Sequence, residues 1–258
     1  MALEANPNEL YLGRGKLYFD RFDSSGKPTG YRFLGNCSKL ELTPNVTVKE
    51  FYEHTRSAAL KIANIPVQQK HTLAIDMSEG FQPDNAALAL LGDTASLSST
   101  SPTIVTEEPV AASSGAGRVY RLQNRNISGL AISAGGTPLV EDTDFSVINP
   151  VTGMVHILTP QTAAITANYN SGTVAAMQMR AGLTANIRGS LIFEGDPANG
   201  PILDIQFWIV QIQPSAAIAL ITDDFATLSI AGECLADAVN HPESPIYTIT
   251  RTGVTAGG

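Results

Sequence analysis

The stretch Tyr11–Gly35, YLGRGKLYFDRFDSSGKPTGYRFLG, reads as a β-hairpin that opens a sheet protein. Leu17, Tyr18, Phe19 and Phe22 run into the turn-rich segment Asp23–Gly30, and Tyr31–Leu34 returns as a second strand. Aromatic side chains favour a pleated surface, while Gly and Pro punctuate reversals of the chain. Gly13-Arg-Gly-Lys16 lacks the glycine spacing and the following Ser/Thr of a phosphate loop, and it precedes a strand rather than a helix. It reads as a hairpin or bulge feature.

Downstream the period of two continues. Leu40 and Leu42 alternate with Lys39, Glu41 and Thr43, so one face of that strand is buried and the other wet. Val46–Tyr52 is a second extended piece. The following Glu53–Asn64 has no clean period, so Glu50–Pro66 reads as a long loop with room for a helical turn near Ser57–Ile62. Alternation resumes with Leu73, Ile75 and Met77 opposed by Thr72, Asp76 and Ser78. One short helix follows: Pro83 and Asp84 suit its first turn, Ala87, Leu88 and Leu91 share a face, and Gly92 is placed for a left-handed cap.

Thr94–Pro102 is serine-rich and linker-like. Short strand texts then come in series: Arg118–Leu122, Ile127–Ile132, Phe145–Ile148, Gly153–Leu158 and Ala163–Tyr169, with reversals at Ala134–Pro138 and Asn149–Gly153. Residues 104–176 therefore read as a small all-β insertion of roughly 70 residues. Long strands return in Leu183–Glu194, Ile202–Gln213 and Thr227–Leu235, and Ile246–Thr250 closes the series before a Gly/Thr/Ala tail. Helix is scarce throughout, and the fold class is all-β.

The 258 residues are 43% hydrophobic and only 16% charged, so part of the surface is expected to lie under partner subunits. A net charge of −8 argues against a site built on nucleic-acid phosphate contacts. The two cysteines, Cys37 and Cys234, suggest packed thiols in a reducing compartment. Met1–Pro7 has neither the basic region nor the apolar core of a signal peptide, and no apolar run reaches the ~20 residues of a membrane span. The expectation is a soluble protein made in a cytoplasm, without a membrane partner.

No motif carries chemistry. His54, His71, His156 and His241 are dispersed, without metal-ligand spacing. Asp142, Asp144, Asp223 and Asp224 do not extend into a calcium-loop pattern. There is no nucleophile elbow, and Arg118, Arg121 and Arg125 form a basic cluster too sparse for a nucleic-acid platform. The expectation is a protein that is not an enzyme and holds no cofactor and no metal.

Taken in order, GKLYFDRFD at Gly15–Asp23 with GYRFLGN at Gly30–Asn36, and the Ala87–Gly92 helix after Gln82–Asn85, have a family likeness. So do LVEDTDF at Leu139–Phe145 with GMVHI at Gly153–Ile157, the turn Glu194–Pro201 and the closing Pro245–Thr250. The chain resembles the major tail tube proteins of long-tailed, non-contractile bacteriophages over nearly its whole length. That resemblance implies a structural virion protein of the phage tail, assembled in the host cytoplasm as stacked hexameric rings. The rings would form a tube through which DNA is ejected.

Residues 1–100 and 179–258 would then be two parts of one tail tube domain of β-sandwich or barrel type, with 101–178 inserted on the tube exterior. Its partners would be further copies of itself, the tape measure, tail terminator and distal tail proteins, and DNA in transient, non-specific passage. The wet strand faces would line the lumen: Lys39, Glu41, Thr43, Thr72, Asp76, Ser78, Thr184, Asn186, Arg188, Ser190, Asp204 and Gln206. Nearby acids would offset Lys39 and Arg188. The Glu50–Pro66 loop, disordered in a free subunit, would order against the next ring through Phe51, Tyr52, Leu60, Ile62 and Ile65. The alternative from another class is a monomeric β-sandwich that binds carbohydrate or a cell surface; its usual aromatic platform would have to come from one Trp and seven Tyr.

Overall fold

The computed structural model describes residues 9–55, 57–214 and 217–252. The chain forms two compact units, one from Met1–Thr94 with Met179–Gly258 and one from Ala95–Gln178. The expected N-terminal arm lies largely outside the described residues, as does the end of the Gly/Thr/Ala tail.

In chain order the first unit opens with β1 (Gly15–Arg21), β2 (Arg32–Phe33), β3 (Cys37–Glu53), β4 (Leu60–Met77) and α1 (Pro83–Ala89). β5 (Asp93–Ser96) leads into β6 (Thr103–Ala111), β7 (Arg118–Arg121), β8 (Ile127–Ala134) and β9 (Thr137–Pro138). β10 (Phe145–Asn149), β11 (Met154–Ile157), β12 (Ile165–Ser171) and β13 (Met177–Arg180) follow. The first unit resumes with β14 (Ile187–Gly195), β15 (Ile202–Pro214), β16 (Leu228–Leu235) and β17 (Tyr247–Thr252). The fold is all-β with one short helix.

The first unit is one antiparallel sheet of eight strands in the order β2-β1-β14-β15-β16-β4-β3, with β17 also on β15. The opening hairpin forms as its sequence requires: β1 pairs β2, and the rings of Tyr18 and Phe33 meet at 5.7 Å. Its reversal is held by Asp20, a buried carboxylate that accepts the Thr29 and Gly30 N–H groups at 2.8 and 2.9 Å. Gly15 is required by packing, because a Cβ there would stand 2.3 Å from the Glu194 carbonyl oxygen. The core gathers Leu17, Phe19, Leu73, Ile75, Met77, Leu191, Phe207, Leu228 and Ile230 under Ala86, Leu88 and Ala89 of α1. Asn85, fully buried, ties the helix to the hairpin: its amide donates to the Leu34 carbonyl at 2.8 Å and accepts from Arg32 at 2.7 Å.

The helix ends one residue differently from expectation. Leu91, not Gly92, takes the left-handed conformation, with φ 49°. Its N–H donates to Leu88 and that of Gly92 to Ala87, at 3.3 and 2.8 Å, the paired bonds of a Schellman cap. Gly92 is needed instead for a close approach, since a Cβ would lie 1.9 Å from the Arg180 carbonyl oxygen. The Leu91 side chain repays its backbone strain by packing on the core.

β15 changes partners along its length. Ile202–Phe207 pairs β17, and Ile209–Pro214 pairs β16. Against β14, Leu191 faces Phe207 while Gly189 faces Val210, so β15 carries an extra residue there. The bulge flips the alternation: Phe207 points inward on one side, and Val210 and Ile212 on the other. A separate contact corrects one assignment: Ser190, expected on a wet face, pairs with the buried Asp20 of β1, is itself buried and donates to the Tyr31 hydroxyl at 2.8 Å.

The inserted unit holds a three-stranded sheet, β10-β11-β7, and a four-stranded sheet, β6-β12-β8-β9. Phe145, Val155, Ile157, Ile165, Ala167 and Tyr169 fill its own core. The serine-rich text that reads as a linker is instead bonded into this unit, with the N–H groups of Leu97 and Ser99 on the carbonyls of Ala176 and Val174, each at 2.8 Å. β5 and β13 pair with each other as a ribbon. Asp144 serves a turn: its carboxylate accepts from the Val140 N–H and the Thr159 hydroxyl, which hold its pKa below the ordinary value.

Candidate interaction surface on the β3–β4 arm

β3 and β4, of 17 and 18 residues, pair continuously from Cys37 and Met77 out to Glu53 and Leu60. β16 covers β4 only between His71 and Met77. Beyond that point, Asn45–Glu53 and Leu60–Lys70 form an arm of two strands alone, about 30 Å long at ~3.3 Å per residue. This overturns the expectation of a loop over Glu50–Pro66. The missing period has a local cause: the pairing slips between Thr47 and Val48 and again between Phe51 and Tyr52, leaving Val67 and Ile62 as extra residues on β4. Two bulges within ten or so residues scramble a period of two, although every neighbouring residue remains in a strand. The helical turn expected near Ser57–Ile62 does not form; Leu60–Ile62 is strand, and the neighbouring Arg56 lies outside the described residues.

The arm is apolar on both sides. Val46, Val48, Phe51, Tyr52, Leu60, Ile62, Ile65 and Val67 are 38% to 62% exposed. Val48 faces Pro66 on one side of the ribbon, while Phe51 faces Ala63 and Lys49 faces Ile65 on the other. One charged cluster lies among them, in which Glu50 accepts from Lys61 and from the Tyr52 hydroxyl. The Lys61 bond, then the Tyr52 bond, lowers the Glu50 pKa, and the same carboxylate raises that of Tyr52. An isolated two-stranded ribbon is marginal in water, and an apolar one with a free edge is a template for association. Among the described residues β3 has no partner on its outer edge.

The five residues expected to make a stacking contact thus lie on this arm, joined by Val46, Val48 and Val67, which the loop reading left out. Their signal was present in the apolar alternation of Val46 and Val48.

The residues expected to line a lumen fall into separate groups. Lys39, Glu41 and Thr43 are exposed on β3, and the register sets Lys39 opposite Asp76 and Thr43 opposite Thr72. Lys39 is offset by an acid as expected: its ammonium is 2.9 Å from Glu41, whose hydrogen bond raises its pKa. Asp76 accepts from Ser229 of β16, and Ser78 is exposed just past the end of β4. Thr184 and Asn186 precede β14 rather than sit on it, and with Arg188 they line an open cleft of about 800 Å³. Arg188 meets a neutral partner, donating to Gln211 at 3.3 Å, so the expected acid is not what holds it. Asp204 is exposed and Gln206 half-buried, on the other side of the β15 bulge. Ser190 leaves the set.

Among the described residues no group of three or more His, Cys, Asp or Glu side chains is placed to hold a metal ion. Nor, among the described residues, is any helix long and apolar enough to cross a membrane.

Fold and surface together define an all-β protein with an inserted β unit and a projecting apolar ribbon. The chain belongs to the family described as "Protein of unknown function UCP028589", whose model matches residues 10–245. Nothing among curated proteins matches it.

Proposed function

We propose that the chain is a structural subunit that polymerises through the β3–β4 arm. In this reading it is the tail tube protein of a long-tailed, non-contractile phage, stacked as hexameric rings into a conduit for DNA. The single observation that carries the reading is the arm: a two-stranded ribbon with eight apolar side chains in water and an unpaired edge. Each of those side chains gains up to ~1.5–3 kcal/mol on full burial, less whatever it already buries and the entropy of docking.

Further support comes from charge. A net −8 lets a polyanion pass without being held by phosphate contacts. The inserted unit has its own core and would sit outside the tube, dispensable for polymerisation. The other partners would be the tape measure, tail terminator and distal tail proteins, and the place of action the virion tail after assembly in the host cytoplasm.

Electron microscopy of the purified full-length chain tests the reading. Rings or tubes with a central channel are expected on concentration. Isolated particles at every concentration and salt would overturn it.

A further inference from the structure

We infer that the inserted unit carries a binding site for an acidic sugar, in a pocket built from Ser96, Ser98, Gln123, Asn124, Arg125 and Val174. The pocket has a volume of about 260 Å³, enough for one hexose-sized ring. Its chemistry is mixed in a particular way. Leu97 and Val174 give an apolar wall, three serine hydroxyls and two carboxamides give donors and acceptors, and one guanidinium gives charge.

Three of these groups have hydrogen-bonding capacity to spare. Arg125 is half-buried and, among the described residues, has neither an ion pair nor a hydrogen bond, so its guanidinium is available to an anionic ligand. The carboxamide of Gln123, an exposed residue, has no partner among the described residues. Ser98 accepts from Ser96 at 2.9 Å and keeps its own hydroxyl hydrogen.

The loop that presents these groups is held from behind by buried polar side chains. Glu108, 7% exposed, accepts the Gln123 N–H at 2.8 Å and also accepts from the Tyr169 hydroxyl. That hydroxyl in turn receives the N–H and the carboxamide of Asn124, at 3.3 and 3.1 Å. Two residues on, Asn126 is left-handed at φ 52°, its N–H on Val151 at 3.0 Å and its carboxamide on Thr173 at 3.1 Å. A buried carboxylate and phenol that fix two loop residues, Gln123 and Asn124, form the supporting layer of a preformed site. An unpaired guanidinium beside carboxamides and hydroxyls selects a ligand that carries both an anionic oxygen and ring hydroxyls.

The site belongs to the inserted unit and holds whether or not the chain assembles into tubes. Saturation-transfer difference NMR on the full-length chain tests it with three probes: D-glucuronate, D-glucose 6-phosphate and uncharged D-glucose, each at millimolar concentration. Saturation transfer is expected to one or both acidic sugars, and the pair distinguishes a carboxylate from a phosphate ligand. D-Glucose should bind roughly tenfold more weakly, the loss of one charge-assisted contact. Arg125→Gln should bring the acidic sugars down to the level of D-glucose. Transfer to none of the probes, equal transfer to all three, or an unchanged preference in a folded Arg125→Gln protein would overturn the inference. The wild-type comparison of charged with uncharged sugar decides the matter even if the variant fails to fold.

Discussion

The indole of Trp208 lies flat on the imidazole of His241, ring centroids 3.5 Å apart and planes 4° from parallel. The same indole donates its N–H to the Ser244 carbonyl at 2.7 Å. Trp208 sits at the β15 bulge, between the stretches that pair with β16 and β17. The stack therefore clamps the connection between those two strands at the point where β15 changes partner. His241 is held there by its own N–H on Asp237 at 2.9 Å, while the Asp237 N–H reaches Pro245 at 2.7 Å.

Replacing His241 by Ala should release this clamp at a cost of about 1 kcal/mol, the size of an aromatic pair beyond its area. Trp208 is the only tryptophan, so its emission reports the change directly. A red shift with a lowered melting temperature is expected. Unchanged emission would mean that the stack does not persist in solution.

Leu60 and Ile62 on the arm are 53% and 60% exposed, so changing both to Ser removes little native packing. The free subunit should keep its stability to within about 0.5 kcal/mol in a denaturant melt. Assembly should be lost, because the removed side chains are those that a neighbour would cover. Tubes of wild-type length from this variant would exclude the arm as the contact.

Tyr169 has its pKa raised from 10.0, by burial first and by its bond to Glu108 second. A raised pKa means that the folded state holds the proton more tightly than the unfolded chain. The stabilisation is complete below pH about 10 and is lost as pH climbs through the raised value. Tyr169→Phe should abolish that alkaline loss while costing about 1–2 kcal/mol near neutral pH, because Glu108 loses a buried donor. Urea melts on either side of pH 10 measure both effects.

Burial pushes the thiols of Cys37 and Cys234 up to about 11 and about 12, with Glu79 and Glu233 adding to the shift. Cys37 pairs with Met77 and Cys234 with His71, six residues apart along β4, which sets them ~20 Å from each other. Alkylation at neutral pH should be slow for both in the native protein and fast in denaturant, with no disulfide in either state. Rapid native labelling of Cys234 would show that β16 opens from β4.

The sequence by itself determined the all-β class and most of the strands, because a half-buried strand must alternate in polarity whatever it pairs with. Leu73, Ile75 and Met77 on β4 and Leu228 and Ile230 on β16 carry that pattern and are buried as it requires. It also placed the helix, through Pro83 and the apolar face of Ala87 and Leu88.

Only the tertiary structure decided the rest, since bulges and partner choice are not written in a local period. Ile62 and Val67 slip the register of the arm, so a continuous ribbon reads as an irregular loop. The extra residue on β15 shifts its pairing with β14 and turns Val210 inward, while the β1–β2 reversal brings Tyr31 onto Ser190, which is buried instead of wetted. Leu91 tolerates a left-handed backbone because the core holds its side chain, a gain that the general preference for glycine cannot anticipate. The Arg125 pocket was invisible for the same reason: Glu108 and Tyr169, far apart in the chain, converge on one loop only after the two sheets of the inserted unit have packed.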